Sequence, residues 1–224
     1  MVDPVQTAKN IAIVAVPVII AITLHEAAHG YAARHFGDDT AARAGRISLN
    51  PLRHIDLFGT ILLPGFLLLS HAGFLFGYAK PVPVNFGALR HPKRDMIWVA
   101  AAGPAMNFLL AAISAILLFI CMKTGTANRV AFQLLWTSVE INLVLAVFNL
   151  IPIPPLDGGR VAVGILPQPF SLALAKLGRF GMLLVIAVFI LLPLLGFDLF
   201  HYLVQIPVDF LERPLLALLG IRAE

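Results

Sequence analysis

Charge is what this sequence has least of. Only 12% of its 224 residues are Asp, Glu, Lys or Arg, about half the share of a soluble domain, and its mean hydropathy is +0.90. A chain so poor in charge cannot cover itself against water, so much of its surface has lipid as its solvent. Cysteine is nearly missing as well. The single Cys121 excludes an intrachain disulfide and any cysteine-built zinc cluster, and its place at the end of an apolar run suits packing. No internal repeat, low-complexity tract or flexible linker divides the chain, which reads as one membrane-embedded domain over 1–224. The formal net charge of +4 does not indicate nucleic acid. Its basic residues are scattered singly through loops and form no stripe.

What is present instead is apolar length. Runs at 11–24, 97–122, 130–151 and 181–195 approach or reach the roughly 20 residues that cross hydrocarbon. The first has no cationic lead or small-residue cleavage site and carries polar chemistry at its end, so it reads as a span and not as a leader. The expected fold is an all-α polytopic membrane protein of about four transmembrane helices, the last near 180–200, followed by an amphipathic tail at 201–224.

The first span ends in His25-Glu26-Ala27-Ala28-His29. On a helix, positions i and i+4 lie about 40° apart on one face, so both imidazoles can face one metal ion with Glu26 beside it. This is the zincin pattern, two imidazole ligands and a carboxylate able to take a proton from the attacking water. Charge in a membrane helix costs roughly 2.5–3.5 kcal/mol per residue at the centre, and groups that expensive usually have a function. Marking the helix end at the headgroups is the plainer alternative.

A catalytic zinc usually takes three protein ligands. The candidate for the third is Asp157, in Asn149-Leu150-Ile151-Pro152-Ile153-Pro154-Pro155-Leu156-Asp157-Gly158-Gly159-Arg160. The preceding helix must stop at the prolines. Taken alone, Asp157-Gly158 reads more readily as a turn. Topology offers a test, because Asp157 must emerge on the side where the histidines lie. Three apolar stretches intervene, so one must fail to cross. The stretch at 57–79, broken by Pro64-Gly65 and carrying Ser70, His71, Gly73 and Gly77, is expected to be a re-entrant hairpin. Loop charge agrees: eleven of the sixteen Lys and Arg residues then fall on the catalytic side, which the positive-inside rule makes cytoplasmic.

Taken with Gly103-Pro104-Ala105-Met106-Asn107, these motifs resemble the site-2 protease family of intramembrane zinc metalloproteases, in its compact prokaryotic branch without a PDZ or nucleotide-sensing domain. The resemblance runs over about 11–160 and includes Gly45-Arg46-Ile47-Ser48-Leu49-Asn50-Pro51 and Lys80-Pro81-Val82-Pro83-Val84-Asn85. It implies one Zn2+ held by His25, His29 and Asp157, with Glu26 as general base and Asn149 on the substrate carbonyl. Asn149 reads equally well as a helix-capping or interhelical hydrogen bond. The resemblance also implies a short β element near 45–49 at the catalytic centre, with 81–85 lining the same cleft. The implied partners are a transmembrane protein or signal-anchor substrate and the lipid bilayer. The implied setting is a prokaryotic inner or plasma membrane, and the implied process is regulated proteolysis or signal-anchor clearance.

Other polar residues say less. Gly103 suits close helix approach, and Asn107 reads as interhelical glue more readily than as support for the metal site. His35, His91 and His201 fall at span ends. His54 with Asp56, and His71, could touch the cavity. Glu140 and Asn142 fit either the surface or the bundle interior. A metal transporter would spread its polar groups through the full membrane depth, whereas here they gather at one end. A catalytically dead adaptor would have lost Glu26 or a ligand, and this chain keeps all four residues.

Overall fold

The computed structural model describes residues 4–62 and 79–220, and among these every regular element is helical. Helix α1 is Pro4–His35 and α2 Thr40–Arg43; α3 is Pro92–Lys123 and α4 Arg129–Asn149. Then follow α5 (Asp157–Ile165), α6 (Phe170–Leu177), α7 (Gly181–Ile186), α8 (Leu192–Leu194) and α9 (Ile206–Leu219). Among the described residues, four helical stretches are long and apolar enough to cross a membrane: Ala8–His35, Pro92–Lys123, Arg129–Asn149 and Phe170–Leu191. Their outer faces carry Ile11, Ile116 and Leu183, each 58–65% exposed, an arrangement suited to lipid and not to water.

Local chemistry sets the helix ends. Pro92 opens α3 where a missing N–H costs nothing. The Asn128 side chain accepts from the Ala131 N–H to start α4, and the prolines after Asn149 end it. The last span begins at Phe170 and not at 180, because α6 runs through a 3-10 turn (Gly178–Phe180) and α7 into a π-helical turn (Ala187–Leu191).

Helices α1, α3 and α4 pack together as a bundle, with small residues such as Ala21, Ala111 and Ala146 at their contacts. The Arg90 N–H donates to the Phe36 carbonyl at 3.0 Å, so the chain leaves α1 and enters α3 at the same end. The two ends of the stretch 36–91 thus lie together at one end of the bundle. Of the hairpin expected at 57–79, Leu57–Leu62 form a π-helical turn, and 63–78 lie outside the described residues. The tail, described to residue 220, packs one face on the bundle. Val204 and Val208 are buried in the main core with Val139, Leu143 and Val185.

The β element expected near 45–49 is not formed, and the reason lies in its neighbours. A ladder needs a partner strand with free N–H groups. The adjacent extended segment 80–85 carries Pro81 and Pro83, which have none. Side chains take the carbonyls instead: Arg46 Nη2 donates to the Lys80 oxygen at 2.8 Å, and His54 Nε2 to the Ser48 oxygen at 2.8 Å.

Candidate metal centre

One turn of α1 separates His25 from His29, and both are buried, 8% and 7% exposed. Asp157 opens α5 and is 5% exposed. Gly158 and Gly159 make that position possible. A side chain on either would run into the backbone of Leu150–Ile151 or Ile153–Pro154, so only glycine lets the first turn of α5 press down on the loop leaving α4. His25 Nε2, His29 Nε2 and Asp157 Oδ2 converge as a result. His25 lies 3.1 Å from the carboxylate oxygen, His29 3.2 Å from it, and the two ring nitrogens 3.1 Å from one another.

The far side of each ring decides what this triangle can hold. His29 Nδ1 sits 2.7 Å from the Val99 carbonyl, which only accepts, so Nδ1 carries the proton. His25 Nδ1 faces Asn107 Oδ1 and carries its proton likewise. Both Nε2 lone pairs then point at each other and at a carboxylate oxygen. Three acceptors meet with no donor among them. Protonating one imidazole would supply a single donor, whereas a cation satisfies all three. Zinc at roughly 2.0–2.1 Å from tetrahedral ligands sets them about 3.4 Å apart, close to the separations found, so the residues fit the ion. Gly103 of α3 forms the floor: a Cβ there would collide with both Nε2 atoms. The close approach at Gly103 is made by the two imidazoles of α1.

Glu26 flanks the triangle, half-buried, and its Oε2 accepts the Val82 N–H at 2.7 Å. Segment 80–85 is anchored at both ends, by the Arg46 guanidinium and by the Asn85 N–H, which donates to Asp38 Oδ2 at 2.6 Å. A cavity of about 290 Å³ lies between this segment and the helices, lined by His25, Glu26, His29, Asn149, Asp157 and Arg160 among others. Asn149 turns its Nδ2 to the Leu145 carbonyl at 3.0 Å. Arg160 stands beside Asp157 Oδ1 at 3.5 Å, its guanidinium 5.6 Å from the Phe86 ring.

The remaining candidates fall away from the centre. Buried His54 fixes the 45–54 loop through Ser48, while His35, His91 and His201 are exposed. His71 lies outside the described residues. Glu140 accepts from Trp136 Nε1 at 2.7 Å. Asn107 bridges helices as expected, and its Oδ1 also faces His25 Nδ1. Asn142, 1% exposed, faces the interior and bonds to Asn107 at 2.8 Å. An amide in mid-span was the available signal for it.

The model of peptidase family M50 matches residues 13–135 and 120–193. A Bacillus subtilis protein named "Putative zinc metalloprotease YwhC" is 37% identical over 180 residues, 78% of each chain. The Mycobacterium tuberculosis protein "Putative zinc metalloprotease Rip2" is 30% identical over 77% of this chain and 64% of its own length. "Zinc metalloprotease MJ0392" of Methanocaldococcus jannaschii is 25% identical over 71% of this chain and 36% of its own length. No solved structure matches to a significant degree.

Proposed function

This chain belongs to peptidase family M50, the site-2 proteases, and is a zinc metalloprotease of the membrane; from that premise we propose that it hydrolyses a peptide bond of a transmembrane or signal-anchor substrate within or near the bilayer. The observation that carries this reading is the convergence of three buried acceptor atoms beside Glu26 in a cavity at one end of an apolar bundle.

In this reading His25, His29 and Asp157 hold one zinc ion. When bound, the metal supplies Lewis-acid polarisation of the scissile carbonyl and draws the pKa of water towards neutrality. Glu26 takes the proton of the attacking water and delivers it to the leaving amine. Its Oε2 is engaged by the Val82 N–H, which leaves Oε1 for the proton. Asn149 lines the same cavity. Its amide has two N–H groups, and the one not given to Leu145 is available to the substrate carbonyl oxygen as charge develops there. Loop charge supports a catalytic end at the cytoplasmic face, and a prokaryotic cell membrane is the setting that the family resemblance implies.

The test is cleavage of a panel of single-span substrates by the purified protein, with Glu26→Gln as control. Cutting inside the apolar segment that is lost in Glu26→Gln, with zinc retained, supports the proposal. A panel left intact by zinc-loaded wild type overturns it.

A further inference from the structure

A file of buried amides leads from His25 into the bundle, and its direction is set at the far end. Asn142 Nδ2 donates to the Ser138 carbonyl at 2.8 Å. A backbone carbonyl only accepts, so the Asn142 amide cannot be reversed without opposing oxygen to oxygen. Its Oδ1 is thereby turned to Asn107 and accepts from Asn107 Nδ2 at 2.8 Å. That in turn presents Asn107 Oδ1 to His25 Nδ1. A second carbonyl, of Ala21, lies 3.5 Å from Asn107 Nδ2, too long to fix the amide firmly. Ser114 Oγ and Ser138 Oγ, 2.8 Å apart, close the end of the file. Asn107 and Asn142 are 0% and 1% exposed, so water does not compete.

From this geometry we infer that Asn142 is a positioning residue for the metal centre: through Asn107 it transmits the polarity of the Ser138 carbonyl to His25 and dictates which ring nitrogen carries the proton. An asparagine at position 107 does not achieve this alone, because its amide offers a donor or an acceptor by turning over. If it turned, its Nδ2 would donate to His25 Nδ1, and the proton would move to Nε2, the atom that must bind metal. His29 needs no such relay, since the Val99 carbonyl already fixes its Nδ1 proton. The two histidines therefore reach the same tautomer by different means, one through a backbone carbonyl and one through two side chains.

The inference rests on the zinc reading only for what the freed nitrogen then does, so the test begins without metal. Nitrogen-15 NMR of histidine-labelled, metal-free full-length protein in detergent reports the tautomer of each ring. In wild type, His25 and His29 should both be protonated at Nδ1. His25 protonated at Nε2 overturns the relay without any variant. In Asn142→Leu, His25 should divide between tautomers while His29 is unchanged, and zinc affinity should fall on the order of 10–100-fold, as for loss of an outer partner of a ligand. Asn142→Asp should rescue both readouts, because a buried protonated carboxyl donates to Ser138 and accepts from Asn107. A His25 tautomer unaltered in Asn142→Leu, or lost equally in Asn142→Asp, overturns the relay. Wild type with the expected tautomers that takes up no zinc would instead sink the zinc reading and leave the relay standing.

Discussion

Replacing Gly103 by alanine should abolish tight zinc binding while leaving the fold intact. The added Cβ would stand 2.5 Å from His25 Nε2 and 2.6 Å from His25 Cε1, and closer still to His29 Nε2. Non-bonded heavy atoms are comfortable at roughly 3.5 Å, so both rings would have to retreat by about 1 Å. Metal–ligand distances tolerate about 0.2 Å, and the displacement exceeds this severalfold for two ligands together. The helix itself gains from the change, since alanine is favoured over glycine by about 1 kcal/mol in a helix interior. That gain offsets part of an overpacking cost of about 1–3 kcal/mol. Unfolding temperature should therefore move little while zinc affinity falls by at least about 100-fold, beyond the loss of one outer partner. Competition against a chelating dye measures affinity, and circular dichroism reports the fold. A folded Gly103→Ala protein that binds zinc like wild type would refute the placement of both imidazoles over this residue.

Three further outcomes follow from the same geometry. Asn149→Ala should lower kcat about 10²–10³-fold, as for loss of an oxyanion donor, with zinc content unchanged; a kcat equal to wild type would leave Asn149 only its bond to Leu145. Arg160→Ala should weaken zinc binding by less than about tenfold, because a half-exposed contact at 3.5 Å contributes at most about 1 kcal/mol; chelator competition checks it. For Asp38, desolvation favours the neutral acid, but hydrogen bonds from Thr40 and the Asn85 N–H, aided by Arg43, outweigh it and lower its pKa. A carboxyl depressed on folding contributes stability above its unfolded pKa of about 3.9 and loses it as pH falls through the folded value. Wild type should thus exceed Asp38→Asn in unfolding temperature at neutral pH, with the gap closing in acid below about pH 4; a gap independent of pH contradicts this.

Much of the site was legible because it rests on helical spacing and on the parity of membrane crossings. His25 and His29 share a face by their four-residue interval. Parity allowed Asp157 on their side of the membrane if one intervening apolar stretch did not cross, but Asp157-Gly158 alone reads more readily as a turn, and its place as third ligand came from the family resemblance. The positions of Asn107 and Asn142 were visible as amides in apolar helices, but their roles depend on the rotation of α3 and α4 about their axes, which near-uniform apolar sequence does not encode. The Val82 N–H on Glu26 is a backbone contact across 56 positions and leaves no mark in residue type. The strand expected near 45–49 followed from the resemblance. Pro81 and Pro83 opposite it were visible, but their consequence depended on knowing that the two segments lie side by side.

The most direct test of the central claim is zinc-edge X-ray absorption on the zinc-loaded protein in detergent. Two imidazole nitrogens at about 2.0–2.1 Å, with the remaining ligands oxygen at about 2.0–2.2 Å, are predicted, and the imidazole scattering should fall to one ring in His29→Ala. A shell that contains sulfur or only one imidazole, or a protein that retains no zinc, would contradict a centre built from His25, His29 and Asp157.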